Sequence, residues 1–133
     1  MNADAANERR YSLINTVSYA IIGAAQRVSS ALGVGFLEKV YANALFWELR
    51  KSGLEIASQI PYDVLYDGHA VGTYIPDLIV DNRIIVEIKA VPSLEASAKA
   101  QCINYLKVTG LPLCLLLNFG RPRLEFSRFA LTR

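Results

Sequence analysis

The residues best suited to chemistry lie in one stretch, where Pro76-Asp77 is followed, after nine residues, by Glu87-Ile88-Lys89. Apolar residues on both sides of a polar turn in this stretch predict a β-hairpin. If its loop has three residues, Asp81-Asn82-Arg83, positions 80 and 84 pair and Asp77 falls opposite Glu87. With a two-residue loop, the Asp77 carboxylate would instead face away from Glu87. A chemical function for this hairpin therefore requires the three-residue loop, in which Asn82 tolerates a positive φ.

Two carboxylates on one strand face, with Cβ atoms roughly 5 Å apart, repel each other unless a cation lies between them. Mg²⁺, or Mn²⁺ as a substitute, suits such an all-oxygen site. Lys89 joins that face because strand side chains alternate, and it would orient or activate a water and offset charge on a phosphate. The alternative is an ion-pair cluster on a solvated surface. The apolar residues Ile79 and Ile85 favour a buried hairpin, where unpaired carboxylates are costly.

The histidine and cysteine content argues against several other common kinds of catalysis. His69 is the single histidine and lies in an Asp67-Gly68-His69 turn, so zinc sites and Ser-His or Cys-His catalysis have almost nothing to use. Cys102 and Cys114 each lie in an apolar segment without metal-ligand spacing. We therefore expect two reduced, buried thiols.

The composition predicts one folded domain. The chain has 133 residues, of which 53% are hydrophobic, and its net charge is +2. We expect residues 1–10 to form a flexible N-terminus and residues 11–133 a single domain. The apolar runs are too short to span a membrane and no secretory signal is recognisable, so a cytoplasmic protein is expected.

The positive charge is concentrated at the end of the chain. Residues 99–133 contain six Lys and Arg residues but only one acidic residue, Glu125, whereas residues 1–98 carry a net negative charge. This asymmetry would place a polyanion beside a metal-binding carboxylate cluster, and Arg121 and Arg123 are the candidate substrate-binding residues. The alternative, an ordinary solvated surface, is not excluded by charge alone.

The elements needed to position these residues follow from hydrophobic periodicity. Helices are predicted over 11–29, 36–51 and 94–108, and strands over 62–66, 70–75, 77–80, 84–89, 113–118 and 124–131. The order α-α-β-β-β-β-α-β-β predicts an α/β fold with a mixed central sheet flanked by helices. In the hairpin, Ile79 and Ile85 would be apolar on one sheet face. The apolar residues on the other face would be Leu78, Val80, Val86 and Ile88.

The Pro-Asp and Glu-Ile-Lys arrangement resembles the catalytic motif of the PD-(D/E)XK nuclease superfamily, which has a restriction-endonuclease-like core. The stretch from Gly35 to Tyr41 matches the motif of the GxxExxY protein family, a branch of that superfamily. Gln101 and Tyr105 match the Q-x-x-x-Y element of RecB-like and Cas4-like nucleases. The stretch 116–120 is similar to the penultimate strand of the family.

The resemblance implies a role for each matching residue. Asp77 and Glu87 would hold the metal and Lys89 would be the catalytic lysine. Glu38 would be a further acidic ligand, directly or through water, because His69 does not lie in the helical motif where related nucleases carry a histidine ligand. Gln101 and Tyr105 would position the phosphate backbone or the lysine.

Three functions are compatible with these patterns. The first is a Mg²⁺-dependent nuclease that hydrolyses DNA phosphodiester bonds with a metal-activated water. The second is a nucleic-acid-binding or assembly module that keeps the nuclease fold without turnover. The third is a nuclease subunit that works only as a homodimer or inside a larger complex.

Overall fold

Three helices and seven strands make up residues 3–131, the part of the chain described by the computed structural model. In chain order they are α1 (Ala3–Leu32), α2 (Glu38–Lys51), β1 (Ile56–Ser58), β2 (Tyr62–Tyr66), β3 (His69–Tyr74), β4 (Leu78–Val80), β5 (Ile84–Lys89), α3 (Ala96–Thr109), β6 (Leu113–Asn118) and β7 (Glu125–Phe129). Gly53 and Gly110 have positive φ just past the ends of α2 and α3, where glycine commonly ends a helix. No helix within residues 3–131 is long and apolar enough to cross a membrane.

Five strands form one sheet in the order β1-β4-β5-β6-β7. Only β5 and β6 run parallel, with Ile84 opposite Leu113 and Lys89 opposite Asn118, and α3 provides the crossover that a parallel pair needs. The other neighbours in this sheet are antiparallel. The predicted α/β fold with a mixed sheet flanked by helices is confirmed.

The two faces of the sheet are covered by different elements. Leu78, Val80 and Val86 pack into one core with the buried stripes of α1 and α2. Ile79 and Ile85 point to the opposite face and pack with buried residues of α3. The predicted division of the hairpin into two apolar faces is confirmed, and it explains why β5 is buried on both sides.

Three features differ from the sequence-based predictions. The strand β1 was not predicted, because three residues are too few to show a periodic pattern. It pairs antiparallel with β4 at the edge of the sheet. The hairpin β2–β3 forms a separate two-stranded sheet instead of joining the central one. Helix α1 begins at Ala3 rather than at residue 11, so it includes most of the segment expected to be a flexible N-terminus.

Candidate active site

The hairpin β4–β5 has the three-residue loop that the carboxylate arrangement requires. Val80 pairs with Ile84, which leaves residues 81–83 as the loop, and Asp81 and Asn82 have φ values of 52° and 53°. The Asp81 side chain accepts a hydrogen bond of 3.0 Å from the backbone N–H of Glu55, which fixes the loop to the segment before β1. The loop prediction is confirmed.

This register brings Asp77 and Glu87 together. Leu78 pairs with Val86, so the next residues outward, Asp77 and Glu87, share the face that α3 covers. The Asp77 Oδ2 atom accepts a hydrogen bond of 2.8 Å from the backbone N–H of Ile88. The side chains of Asp77 and Tyr105 lie close enough to Glu87 to shift its pKa, and only 3% of Glu87 is exposed.

The environment of Glu87 disfavours its charged form. Burial is the main cause that raises the pKa of Glu87 to about 9, and the neighbouring Asp77 carboxylate contributes in the same direction. The Tyr105 side chain and the positive charge of Lys89 oppose this shift without cancelling it. At neutral pH and without a cation, Glu87 therefore holds a proton.

A divalent cation fits this donor set, because it would replace that proton and offset the charge of both carboxylates. Glu38 does not complete a three-carboxylate cluster with them. Within residues 3–131, no group of three or more His, Cys, Asp or Glu side chains converges closely enough to hold a metal ion. Glu38 is the exposed first residue of α2, on an element packed against the opposite face of the sheet from Glu87.

Two cavities lie near this end of the central sheet, and Glu38 lines both. The first, of about 660 Å³, is lined by residues that include Lys89 and Gln101 together with the N-terminal turns of α3. The second, of about 610 Å³, is lined by residues that include Asp77. Glu38 thus borders both the cavity that Lys89 lines and the cavity that Asp77 lines, at the carboxyl end of β5, the edge where open α/β sheets usually bind ligands.

The Gln101 and Tyr105 pair lies beside the carboxylates on one face of α3. Gln101 Nε2 donates a hydrogen bond of 3.2 Å to the Tyr105 hydroxyl, which donates in turn to the carbonyl of Ile75 at 3.3 Å. Burial raises the pKa of Tyr105, so its hydroxyl keeps its proton. Tyr105 is buried beside Glu87, so its geometry suits packing against that carboxyl group, while Gln101 lines the cavity.

Arg121 and Arg123 do not join the site residues. Both are exposed in the segment between β6 and β7, and neither lines the two cavities. The Arg121 guanidinium lies 3.7 Å from a carboxylate oxygen of Glu125.

Asn118 is a site-supporting residue that the sequence reasoning did not single out. Its fully buried side chain accepts hydrogen bonds of 3.0 Å from the backbone N–H groups of Val91 and Gly120, and donates to the carbonyl of Val91 at 2.9 Å. A Cβ atom at Gly120 would lie 2.3 Å from the Val91 backbone. The backbone N–H of Phe119 also donates to the carbonyl of Lys89 at 2.8 Å. These hydrogen bonds fix the backbone that follows Lys89 at the end of β5. In the sequence, the polar Asn118 at the end of an otherwise apolar strand could have identified this residue.

Tyr41 fixes the loop that leads to Glu38. Its hydroxyl donates to the carbonyl of Gly33 at 2.6 Å and accepts from the backbone N–H of Phe36 at 3.3 Å. Its ring stacks on Phe119 with centroids 4.8 Å apart. Gly35 has a φ of 113°, which favours glycine. Gly35 and Tyr41 therefore shape the approach to Glu38 by conformation and hydrogen bonding.

Comparisons with known proteins agree with this architecture. Residues 15–129 match the family model of the PD-(D/E)XK nuclease superfamily. No curated protein matches the chain. The crystal structure of SSO0001 is similar, with a TM-score of 0.54 and 17% sequence identity over 69% of this chain. The match covers 48% of SSO0001, so this chain spans about half of its length, and at that identity the similarity concerns the fold alone.

Proposed function

The chain belongs to the PD-(D/E)XK nuclease superfamily, and from this we propose that it is a metal-dependent nuclease that hydrolyses DNA phosphodiester bonds. Superfamily membership suggests a nuclease-type function but not its substrate. The observation that carries the proposal is the pairing of Asp77 with the buried Glu87, on a strand that ends at Lys89 beside two cavities.

Asp77 and Glu87 would hold Mg²⁺, or Mn²⁺ in its place, with Glu38 contributing directly or through water. The raised pKa of Glu87 supports this assignment, since a buried carboxylate pair without a cation retains a proton. When bound, the ion would lower the pKa of a water molecule and offset negative charge on the phosphate.

The chain's own side chains would supply the remaining functions. Lys89 would orient the attacking water and stabilise the negative charge that develops on the phosphate oxygens. Tyr105 would position Glu87 by lying beside it, and Gln101 would contact the phosphate backbone from the cavity wall. Arg121 and Arg123 would bind flanking phosphates beyond the cavities.

A narrower assignment, to the GxxExxY family within the RecB-like branch, is part of the same proposal. It is supported by the position of Gly35 and Tyr41 around the loop before Glu38, and by the contact of Tyr105 with Glu87.

The test is cleavage of labelled single- and double-stranded DNA with Mg²⁺ or Mn²⁺. We expect Asp77→Ala, Glu87→Ala and Lys89→Ala to remove cleavage. Lys51→Ala serves as a matched control, because Lys51 is an exposed lysine paired with Glu48 at the far end of α2. Cleavage that is identical in the wild type and in the three site variants would contradict the proposal.

The second candidate is a nucleic-acid-binding or assembly module without turnover. It is favoured by one observation, that no three metal-ligating side chains converge within residues 3–131. Salt-sensitive DNA binding that survives Asp77→Ala, with no cleavage at any metal concentration, would support it. Sedimentation of the purified protein would show whether the chain acts as a homodimer, and activity only in the presence of a partner would indicate a larger complex.

A further inference from the structure

The loop between α1 and α2 exposes large apolar side chains beside the candidate active site. We call residues 33–37 the rim loop. Its Val34, Phe36 and Leu37 side chains are 51%, 47% and 82% exposed, respectively. Phe36 and Leu37 line the same cavity as Asp77. Exposing apolar side chains to water is unfavourable, so their concentration at the mouth of a polar site suggests a ligand with an apolar surface.

The rim loop is held in one conformation. The Tyr41 hydroxyl bonds to Gly33 and Phe36 at the two ends of the loop's turn. The ring of Phe36 packs edge-on against Tyr41 with centroids 6.1 Å apart, and Tyr41 stacks on the buried Phe119. These contacts anchor Phe36 to the core, so it offers a preorganised surface for stacking.

The cavity that the rim loop lines is amphipathic. Phe36, Leu37 and Ala42 provide apolar surface, while Lys39, Asn43 and Gln59 provide polar groups around Asp77. A nucleotide has the same division, because its base presents apolar π-faces and its phosphate is anionic. A second copy of this chain or an apolar peptide would leave the polar wall and the carboxylates without partners.

We propose that the rim loop stacks against an unpaired nucleobase next to the phosphate to be cleaved, and that the substrate is therefore single-stranded or locally unpaired nucleic acid. This inference rests on the proposed nuclease function. In an intact duplex the base faces are covered by their neighbours. A base can contact Phe36 and Leu37 within the cavity that also contains Asp77 only when it has left the stack.

The test measures binding separately from cleavage. The probes are a fluorescein-labelled 15-mer DNA single strand and the corresponding blunt duplex, with Ca²⁺ as the metal, and a single strand containing 2-aminopurine, whose fluorescence is quenched by stacking. We expect the wild type to bind the single strand about tenfold more tightly than the duplex. Phe36→Ala and Leu37→Ser should each weaken single-strand binding by roughly tenfold and reduce the quenching.

Matched controls come from elsewhere on the surface. Phe126 is 43% exposed and Leu65 is 65% exposed, and neither lines the two cavities. Phe126→Ala and Leu65→Ser should leave single-strand binding unchanged. Phe36→Leu keeps an apolar side chain but removes the ring, so it should retain the thermal stability of the wild type while losing quenching.

Each other outcome is decisive. Equal binding by the rim-loop and control variants overturns the inference, and Mg²⁺-dependent cleavage that still requires Glu87 would leave the proposed function intact. Wild-type binding that does not distinguish single strand from duplex also overturns it. Binding to no nucleic acid overturns both. Conversion of a dimer to a monomer by Leu37→Ser, with unchanged DNA affinity, would make the rim loop a self-association surface instead.

Discussion

The hairpins β2–β3 and β4–β5 follow each other in the chain, yet the candidate active site is built on the second. We call them the outer and the central hairpin. The outer hairpin turns through Asp67-Gly68, forms its own two-stranded sheet and is mostly exposed. The central hairpin turns through residues 81–83, lies inside the five-stranded sheet and is almost entirely buried.

This difference shows how burial changes the chemistry of the same residue types. Asp63 in the outer hairpin accepts a hydrogen bond of 3.1 Å from Thr73 and remains solvated. Asp77, beside the central hairpin, faces the buried Glu87 and raises the pKa of Glu87. A carboxylate acquires a strongly shifted pKa where helices cover both faces of the sheet and water cannot solvate the charge.

The most severe test of this comparison is a one-residue insertion in each turn. A glycine inserted after Asn82 would move the residues of one strand to the wrong face, exposing apolar side chains and burying polar ones. We expect this change to remove most of the net stability, which is roughly 5–15 kcal/mol for a domain. A glycine inserted after Asp67 should cost about 1 kcal/mol or less, because the turn is exposed. Urea denaturation measures both, and equal losses would contradict the comparison.

Neutralising one aspartate in each hairpin tests the chemistry. Asp77→Asn should lower the rate of DNA cleavage by at least about a hundredfold, because the charge that would hold the metal is lost. Asp63→Asn keeps an acceptor for Thr73 and should leave the rate unchanged. Single-turnover cleavage with Mg²⁺ gives both values. A comparable loss in the two variants would mean that the carboxylate pair has no special role.

Adding one methyl group near each hairpin tests whether the packing of Gly120 against Val91 positions the candidate active site. A Cβ atom at Gly120 would collide with the Val91 backbone, so Gly120→Ala should cost about 1–3 kcal/mol of stability and slow cleavage by displacing the chain after Lys89. Gly68→Ala meets no atom within 4 Å, but its φ of 79° costs about 1 kcal/mol. Its cleavage rate should not change. Denaturation and cleavage measured together separate these effects, and normal cleavage by Gly120→Ala would remove the positioning argument.

The pH dependence of stability tests the shifted pKa of Glu87 directly. The pKa of Glu87 is raised from 4.5 to about 9 on folding, so the folded state binds this proton more tightly than the unfolded state. The contribution is complete below about pH 4.5 and is lost as the pH rises towards 9, with a slope on the order of 1 kcal/mol per pH unit.

Glu87→Gln should remove this slope for protein kept in a chelator, whereas Asp63→Asn should retain it. Thermal unfolding between pH 5 and pH 9 provides the measurement. A wild type whose stability does not fall over that range would show that Glu87 ionises normally.

Local patterns explain what the sequence predicted well. The strand over 113–118 agrees with β6 residue for residue, because a continuous apolar run ends at a polar residue and begins after Gly110. The three-residue loop of the central hairpin was inferred from the requirement that Asp77 and Glu87 share a face, and the alternating apolar residues defined the strands on either side.

The remaining features depend on contacts between distant segments. The strand β1 has only three residues and exists through its pairing with β4, and nothing local separates the outer hairpin from the central sheet. The bonds of Asn118 to Val91 join residues 27 positions apart. Arg121 and Arg123 were predicted to bind substrate from their charge alone. Charge does not indicate where the turn after β6 lies relative to the cavities, and neither residue lines them.

The stack of Tyr41 on Phe119 has a kinetic consequence. It joins the first turn of α2 to the residue after β6, so the surroundings of Glu38 and Lys89 are complete only when segments far apart in the chain have met. Closing such long loops costs entropy that is recovered only late in folding. During refolding, we therefore expect catalytic competence to return after most of the helix and sheet signal has been regained.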